Sequence, residues 1–531
     1  MLPSSSPSAR ALMRNFTRFS LLFAINHGCV TAVLNLSVVI LGEEGSFMSG
    51  ALYVTYAATA LVASSAIIAA LGTRGALICG SFVYCVYVFS LPLALLAKTA
   101  ATQATVAVVG GAIGGIAAGF LWAAQGAYFA ASAKLYVEAS RGSLPLEEVS
   151  SKFAAKFGVI FLGCELVLKA LPLALKAVEL AADTGGNATL ADTPPPSMPP
   201  SMPPLPPSAP PPPHGPAAPP ERAPASLNAT DLIVAVTYSI LAICSAVGMF
   251  TINDLDALEQ RRHVSGGTEC APSSSDAPAS APTAADAPAS TQVADADAAE
   301  PPSPEEPKVT TSEPSRAARG KLSFARVAAA VLLWRRRPQV LLLAPVQITF
   351  GLCAALIGYE LSGRIVPKAF PQDSIIAAGL LSALIALVSA VLQVPFKKAS
   401  ALFGKSFVML TGLLAFATLA ALCLVLEDTQ LAHAAPLVLC YMLQGVGRAC
   451  YEGTNKALYA DFFRAEAEAA FANIVLAVGT ASAIAYFTFP EMSRPARAAT
   501  ALVSACLATI TYIGAEVVQR RQRQREARDD E

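Results

Sequence analysis

Apolar residues run along the chain in blocks of about twenty, broken by short polar stretches, instead of recurring at the period of a half-buried helix or strand. Blocks of this length read as transmembrane helices, because about 20 residues cross the hydrocarbon and a helix satisfies its own backbone there. Twelve such spans are predicted: 16–40, 47–71, 76–97, 105–130, 153–180, 231–252, 339–362, 374–395, 405–426, 434–459, 467–489 and 497–518. Composition agrees. Hydrophobic residues make up 54% of the 531 and charged residues 14%, where a soluble globule carries about a quarter charged.

Two low-complexity inserts interrupt the series. Residues 183–229, with "PPPSMPPSMPPLPPSAPPPPHGP", favour extended polyproline, and residues 253–320, rich in Ala, Pro, Ser and Asp, lack the apolar content for a core. Net charge is zero, so it points to no nucleic acid; its placement says more. Lys and Arg gather in alternate loops (Arg10, Arg14, Arg18; Arg74; Lys134, Arg141, Lys152; Arg335 to Arg337; Lys397, Lys398, Lys405) and in the tail "RRQRQREARDDE". By the positive-inside rule both termini and the 253–338 linker are cytoplasmic, in a plasma membrane or an endomembrane. The proline-rich loop then lies outside or in a lumen, with glycosylation sequons at Asn187 and Asn228. Ten of eleven cysteines fall in spans without metal-ligand spacing, so neither a metal site, a cofactor nor a disulfide framework is expected.

The chain therefore divides into a cytoplasmic N-terminus (1–15), a six-helix bundle (16–252), a linker (253–338), a second six-helix bundle (339–518) and a tail (519–531). Six spans, a long linker and six more is the layout of the major facilitator superfamily, whose two halves enclose a central cavity. In "KLSFARVAAAVLLWRRRP", Phe324, Val327, Val331 and Trp334 recur at helical spacing; this segment either lies in the membrane interface or leads, solvated, into the seventh span.

Polar residues at bilayer depth are the candidates for function, because each must find a partner or line water. In the fourth span, Gly111, Gly115 and Gly119 allow close helix approach. Trp122, Gln125 and Tyr128 follow three apart and are expected to occupy one broad face, the last two either bonding to neighbouring helices or lining a cavity. The tenth span places Arg448, Glu452 and Lys456 four apart, a ladder of alternating sign, with Asn455 beside it. Arg448 and Lys456 read as structural ion-pair residues, Glu452 and Asn455 as cavity candidates. "AAQGAYFA" (123–130) aligns with "GTNKALYA" (453–460), setting Gln125 against Asn455 in the equivalent span of the other half. In the fifth span Glu165 and Lys169 either neutralise each other within one helix or leave Glu165 as a proton or cation site. Asn26 and Gln347 are further cavity candidates, His27 reads as a packing residue, and Glu360, close to the predicted end of its span, as solvated.

"GFLWAAQGAYFA" resembles the fourth-helix signature of the Unc-ninety-three family, a branch of the major facilitator superfamily described as ion-channel regulatory proteins. "LGTRGALICGSFVYCVY" (71–87) resembles that family's short loop and third helix, and "GVGRACYEGTNKALYADFF" (445–463) its tenth-helix motif. The resemblance implies an all-α membrane fold of twelve helices in two bundles. It also implies either a transporter-like protein acting on a small solute or ion, or a regulator or trafficking partner of another membrane protein such as a potassium channel. No GxSxG, HExxH or paired-Asp motif supports an enzyme.

Overall fold

The computed structural model describes residues 8–140, 144–186, 229–258, 328–463 and 466–529, and among these every regular element is a helix. The first six rods are built from α1 (Ala9–Leu41), α2 (Glu43–Val62), α3 (Ser64–Leu95), α4 (Ala100–Ala139), α5 (Leu146–Lys169) continuing into α6 (Leu171–Gly186), and α7 (Ala229–Gly248). The second six comprise α8 (Pro338–Ala355), α9 (Ser374–Phe403), α10 (Lys405–Val425), α11 (Ala434–Cys450), α12 (Ala467–Thr488) and α13 (Arg494–Asp529). Nine of the described helices are long and apolar enough to cross a membrane, or ten with the bent α5–α6 pair. The others are α2 and the tenth rod, where α11 runs on through a widened turn. Outward-facing apolar side chains such as Val159, Val391, Leu414, Val503 and Ile510 are more than half exposed, which suits a surface solvated by lipid.

The turns between rods follow from single residues. Gly72 takes φ +70°, a region that favours glycine, and there the second rod ends and the third begins. Gly404, at φ +85°, does the same between α9 and α10, the corresponding connection of the second set. The α4 glycine stripe acts as its spacing suggests: a Cβ at Gly111 would lie 2.1 Å from the Met48 carbonyl oxygen, and one at Gly115 2.0 Å from that of Leu52. With no side chain there, α4 seats against α2.

Pro172 shapes the fifth rod. It has no N–H for the Leu168 carbonyl four residues back, so the helix breaks and turns by 43° between α5 and α6. The Tyr238 hydroxyl, from α7, donates to that open carbonyl at 2.7 Å. The Lys169 carbonyl, freed by the same break, faces Gly379 on α9, where a Cβ would sit 2.6 Å from it. The bend therefore lets the two sets of rods touch.

α2 against α12 and α5 against α9 make the seam between the two sets. On the side away from the termini the seam is shut. The Ser46 hydroxyl donates to the Tyr486 carbonyl (2.6 Å), Phe47 stacks on Phe487, and Gly363 lies against Val38. On the side of the termini a cavity of about 840 Å³ remains between α2, α4, α12 and the helical residues 328–336.

Candidate functional site

Along α5, Phe153, Phe157, Phe161, Glu165 and Lys169 stand four apart, and 3.6 residues per turn puts them on one slowly drifting stripe. The stripe faces α1, where Phe16, Phe19, Phe23 and His27 recur at three- and four-residue spacing. The two rows interlock: Phe16 meets Phe153 (centroids 4.3 Å), Phe23 meets Phe157 (5.9 Å) and His27 stacks on Phe161 (5.3 Å). Trp122 of α4 completes this aromatic wall, edge-on to His27 at 4.9 Å and to Phe161 at 5.8 Å, and its other side lines the cavity.

The stripe ends in charge. Lys169 lies 2.8 Å from Glu165 Oε1, so the intrahelical pairing expected from their spacing forms. A third member comes from the other half. Arg448 of α11 reaches across the seam and donates from both terminal nitrogens to the two Glu165 oxygens, at 2.7 and 2.8 Å. Glu165 is 2% exposed and Arg448 16%. Both sit near the middle of their spans, at the depth where one isolated charge costs about 2.5–3.5 kcal/mol on insertion scales. Removing one partner of a buried pair costs about 3–5 kcal/mol, so the triad holds the halves in register.

The ladder expected along the tenth span is therefore corrected. Arg448 does not pair with Glu452 but with Glu165, and Tyr451–Asn455 form a π-helical turn that departs from the four-residue register. Glu452 bonds to Lys456, both more than a third exposed, and neither lines the cavity.

The remaining candidates separate. Three residues advance an α-helix by 300°, so Trp122 and Tyr128 point about 120° apart instead of sharing a face. Tyr128 is fully buried between α1 and the end of the sixth rod, accepting from Asn15 Nδ2 (2.7 Å) and donating to the Asn253 carbonyl (3.0 Å). Gln125 is half-buried and does not line the cavity. Asn26 is used inside the first six rods, donating to the Ala242 carbonyl and the Ser245 hydroxyl, both at 3.2 Å. Gln347 and Asn455 exchange reciprocal amide bonds of 3.1 Å and are fully buried, so Asn455 and its counterpart Gln125 differ in environment. Asn187 and Asn228 lie outside the described residues.

One further expectation is revised. Glu360 is not solvated: it is 1% exposed and paired at 2.6 Å with Arg497, itself 2% exposed. A widened π-helical segment, Leu356–Ile365, carries it inward, where Arg497 enters from α13. Trp334 donates from Nε1 to Asn473 Oδ1 (2.6 Å), pinning residues 328–336 to α12. The aromatic row beside the triad went unread in the sequence, although the four-residue recurrence of Phe153, Phe157 and Phe161 leading to Glu165 marks it.

No protein-family model and no curated protein sequence matches the chain. Solved structures do. A mutant of the nucleoside transporter NupG is similar over 95% of this chain and 99% of its own, at 10% identity and TM-score 0.53. The xylose transporter XylE from E. coli, inward open, covers 96% and 95% at 11% identity and TM-score 0.54. The peptide transporter POT in complex with sulfate covers 96% and 94% at 11% identity and TM-score 0.53. Identities this low speak for the fold alone. With the twelve rods and the lipid-suited surface, they make this chain an all-helical multi-pass membrane protein of the major facilitator fold.

Proposed function

We propose that the protein carries a small solute across its membrane by alternating access, with the Glu165–Lys169–Arg448 triad at the centre of the path. One observation carries the reading: a charged latch at mid-depth contributed by both halves, in a seam that is shut on the far side and leaves a cavity on the side of the termini. Rocking one half against the other must break and remake this latch, so solute binding there couples to the motion. Tyr53 stacked on Tyr486 at 5.9 Å is the far-side barrier, and Trp122 separates cavity from triad. The similar structures, transporters of nucleosides, xylose and peptides, support transport as the activity. Loop charge favours cytoplasmic termini, which makes the cavity side the cytoplasmic one.

The motif resemblance to the Unc-ninety-three family supports a different activity, a regulator or trafficking partner of a channel that moves no solute. Counterflow in proteoliposomes separates the two. Transport predicts saturable flux that is lost in Arg448→Gln protein eluting as a folded monodisperse species. Absence of flux for every solute tried, with a channel recovered by crosslinking, would overturn it in favour of the partner role.

A further inference from the structure

We infer that the triad binds a small organic carboxylate, which takes the place of Glu165 on Arg448. This rests on the transport reading and names its substrate class. Charges withdrawn from water must be balanced, and here the count is uneven. Lys169 and Arg448 bring two positive charges against the single negative charge of Glu165, while Glu452 and Lys456 cancel each other. One positive charge is left over. It is shared by the triad, of which Arg448 is the most accessible member at 16% exposed, against 6% for Lys169 and 2% for Glu165.

A guanidinium has five N–H donors, and Glu165 occupies two of those on Arg448; among the described residues no other acceptor engages it. The occupied pair already shows what the fork accepts, a planar carboxylate held by two parallel bonds. An incoming carboxylate replaces Glu165 like for like. Glu165 is not stranded by the exchange, since Lys169 holds it at 2.8 Å from the same helix. A neutral solute cannot make this substitution without leaving Arg448 uncompensated, and a cation meets the surplus of its own sign. The body of the solute is organic because Trp122 and Tyr56 line the cavity, and Phe161, packed on Trp122, stands one helical turn before Glu165. Glu165 and Arg448 also belong to opposite halves, so the exchange trades a bond between the halves for a bond to the solute.

Equilibrium binding of radiolabelled benzoate, lactate and acetate to the purified full-length chain in nanodiscs tests this, with benzamide and benzylamine as the neutral and cationic counterparts of benzoate. At least one carboxylate is expected to bind saturably, and benzamide at least about tenfold more weakly than benzoate. The discriminating variant is Glu165→Gln. It removes the competitor for Arg448 and should tighten carboxylate binding about tenfold, whereas a merely structural role predicts weaker binding or none. Arg448→Lys, which keeps the charge and the fold but loses the fork, should weaken binding, and Arg448→Gln should weaken it by about a hundredfold or more. Equal affinity for benzoate and benzamide, no carboxylate binding at all, or weaker binding in Glu165→Gln each overturns the assignment. Carboxylate binding without flux leaves the anion site standing and removes the transport reading; flux of a neutral solute without carboxylate binding does the reverse.

Discussion

Breaking α5 at Pro172 gives the Leu168 carbonyl no donor in its own helix, and Tyr238 supplies one from α7 at 2.7 Å. Tyr238 is fully buried, so Tyr238→Phe deletes a hydroxyl without opening a route for water to the carbonyl. The loss is then that of an unsatisfied buried acceptor, about 1–3 kcal/mol, with little change in packing volume. Restoring a backbone donor at residue 172 should cancel most of it. In a Pro172→Ala background the new N–H can reach the Leu168 oxygen, so Tyr238→Phe should cost about 0.5 kcal/mol or less. The coupling across the four proteins is therefore about 1–2 kcal/mol, large against the few tenths expected of independent sites. SDS titration of the reconstituted chain, followed by far-UV circular dichroism, measures it. An equal cost for Tyr238→Phe in both backgrounds would refute the account of the bend. The single Pro172→Ala change carries a functional prediction as well: straightening the fifth rod moves the Lys169 carbonyl away from Gly379 on α9 and lowers counterflow even where the protein remains stable.

Three other outcomes follow from the geometry. Gly379→Val places a Cβ 2.6 Å from the Lys169 carbonyl across the seam, and because that neighbour is backbone the rods must separate; disulfide trapping between Cys pairs introduced along α5 and α9 should fall severalfold. Arg497→Met leaves Glu360 buried and unpaired and should destabilise by about 3–5 kcal/mol in the same SDS titration, with the double variant Glu360→Leu/Arg497→Met recovering most of the loss. In the loop before α11, the Lys368 ammonium, with Arg494 beside it, holds the Asp428 carboxyl below its usual range. A carboxyl with a depressed folded pKa adds stability above its unfolded pKa and loses it as pH falls through the folded value. Melting temperature should thus drop slightly more between pH 5 and pH 3 in the parent than in Asp428→Asn. The effect is small because the group is 39% exposed and screened.

Much of this architecture is written in consecutive residues. Run length sets the spans, the Gly111–Gly115–Gly119 stripe sets the seat of α4 on α2, and the spacing of Glu165 and Lys169 sets their pairing, because each depends only on hydrophobicity and the pitch of a helix. Partner choice between remote segments has no such local signal. Arg448 is 283 residues from Glu165, and its own helix offered Glu452 four residues away; where the two halves meet decided between them. Tyr128 shares a polar run with Trp122, yet the helical pitch turns the two apart and packing gives Tyr128 to Asn15 and Asn253. Glu360 stood close enough to the predicted end of its span to be read as wet, until a widened turn and an arginine from α13 enclosed it. The sequence by itself decides which groups must be hidden from lipid, because the desolvation penalty belongs to each side chain. The tertiary structure alone decides who compensates whom, because that compensation is a short-range contact set by how distant helices pack.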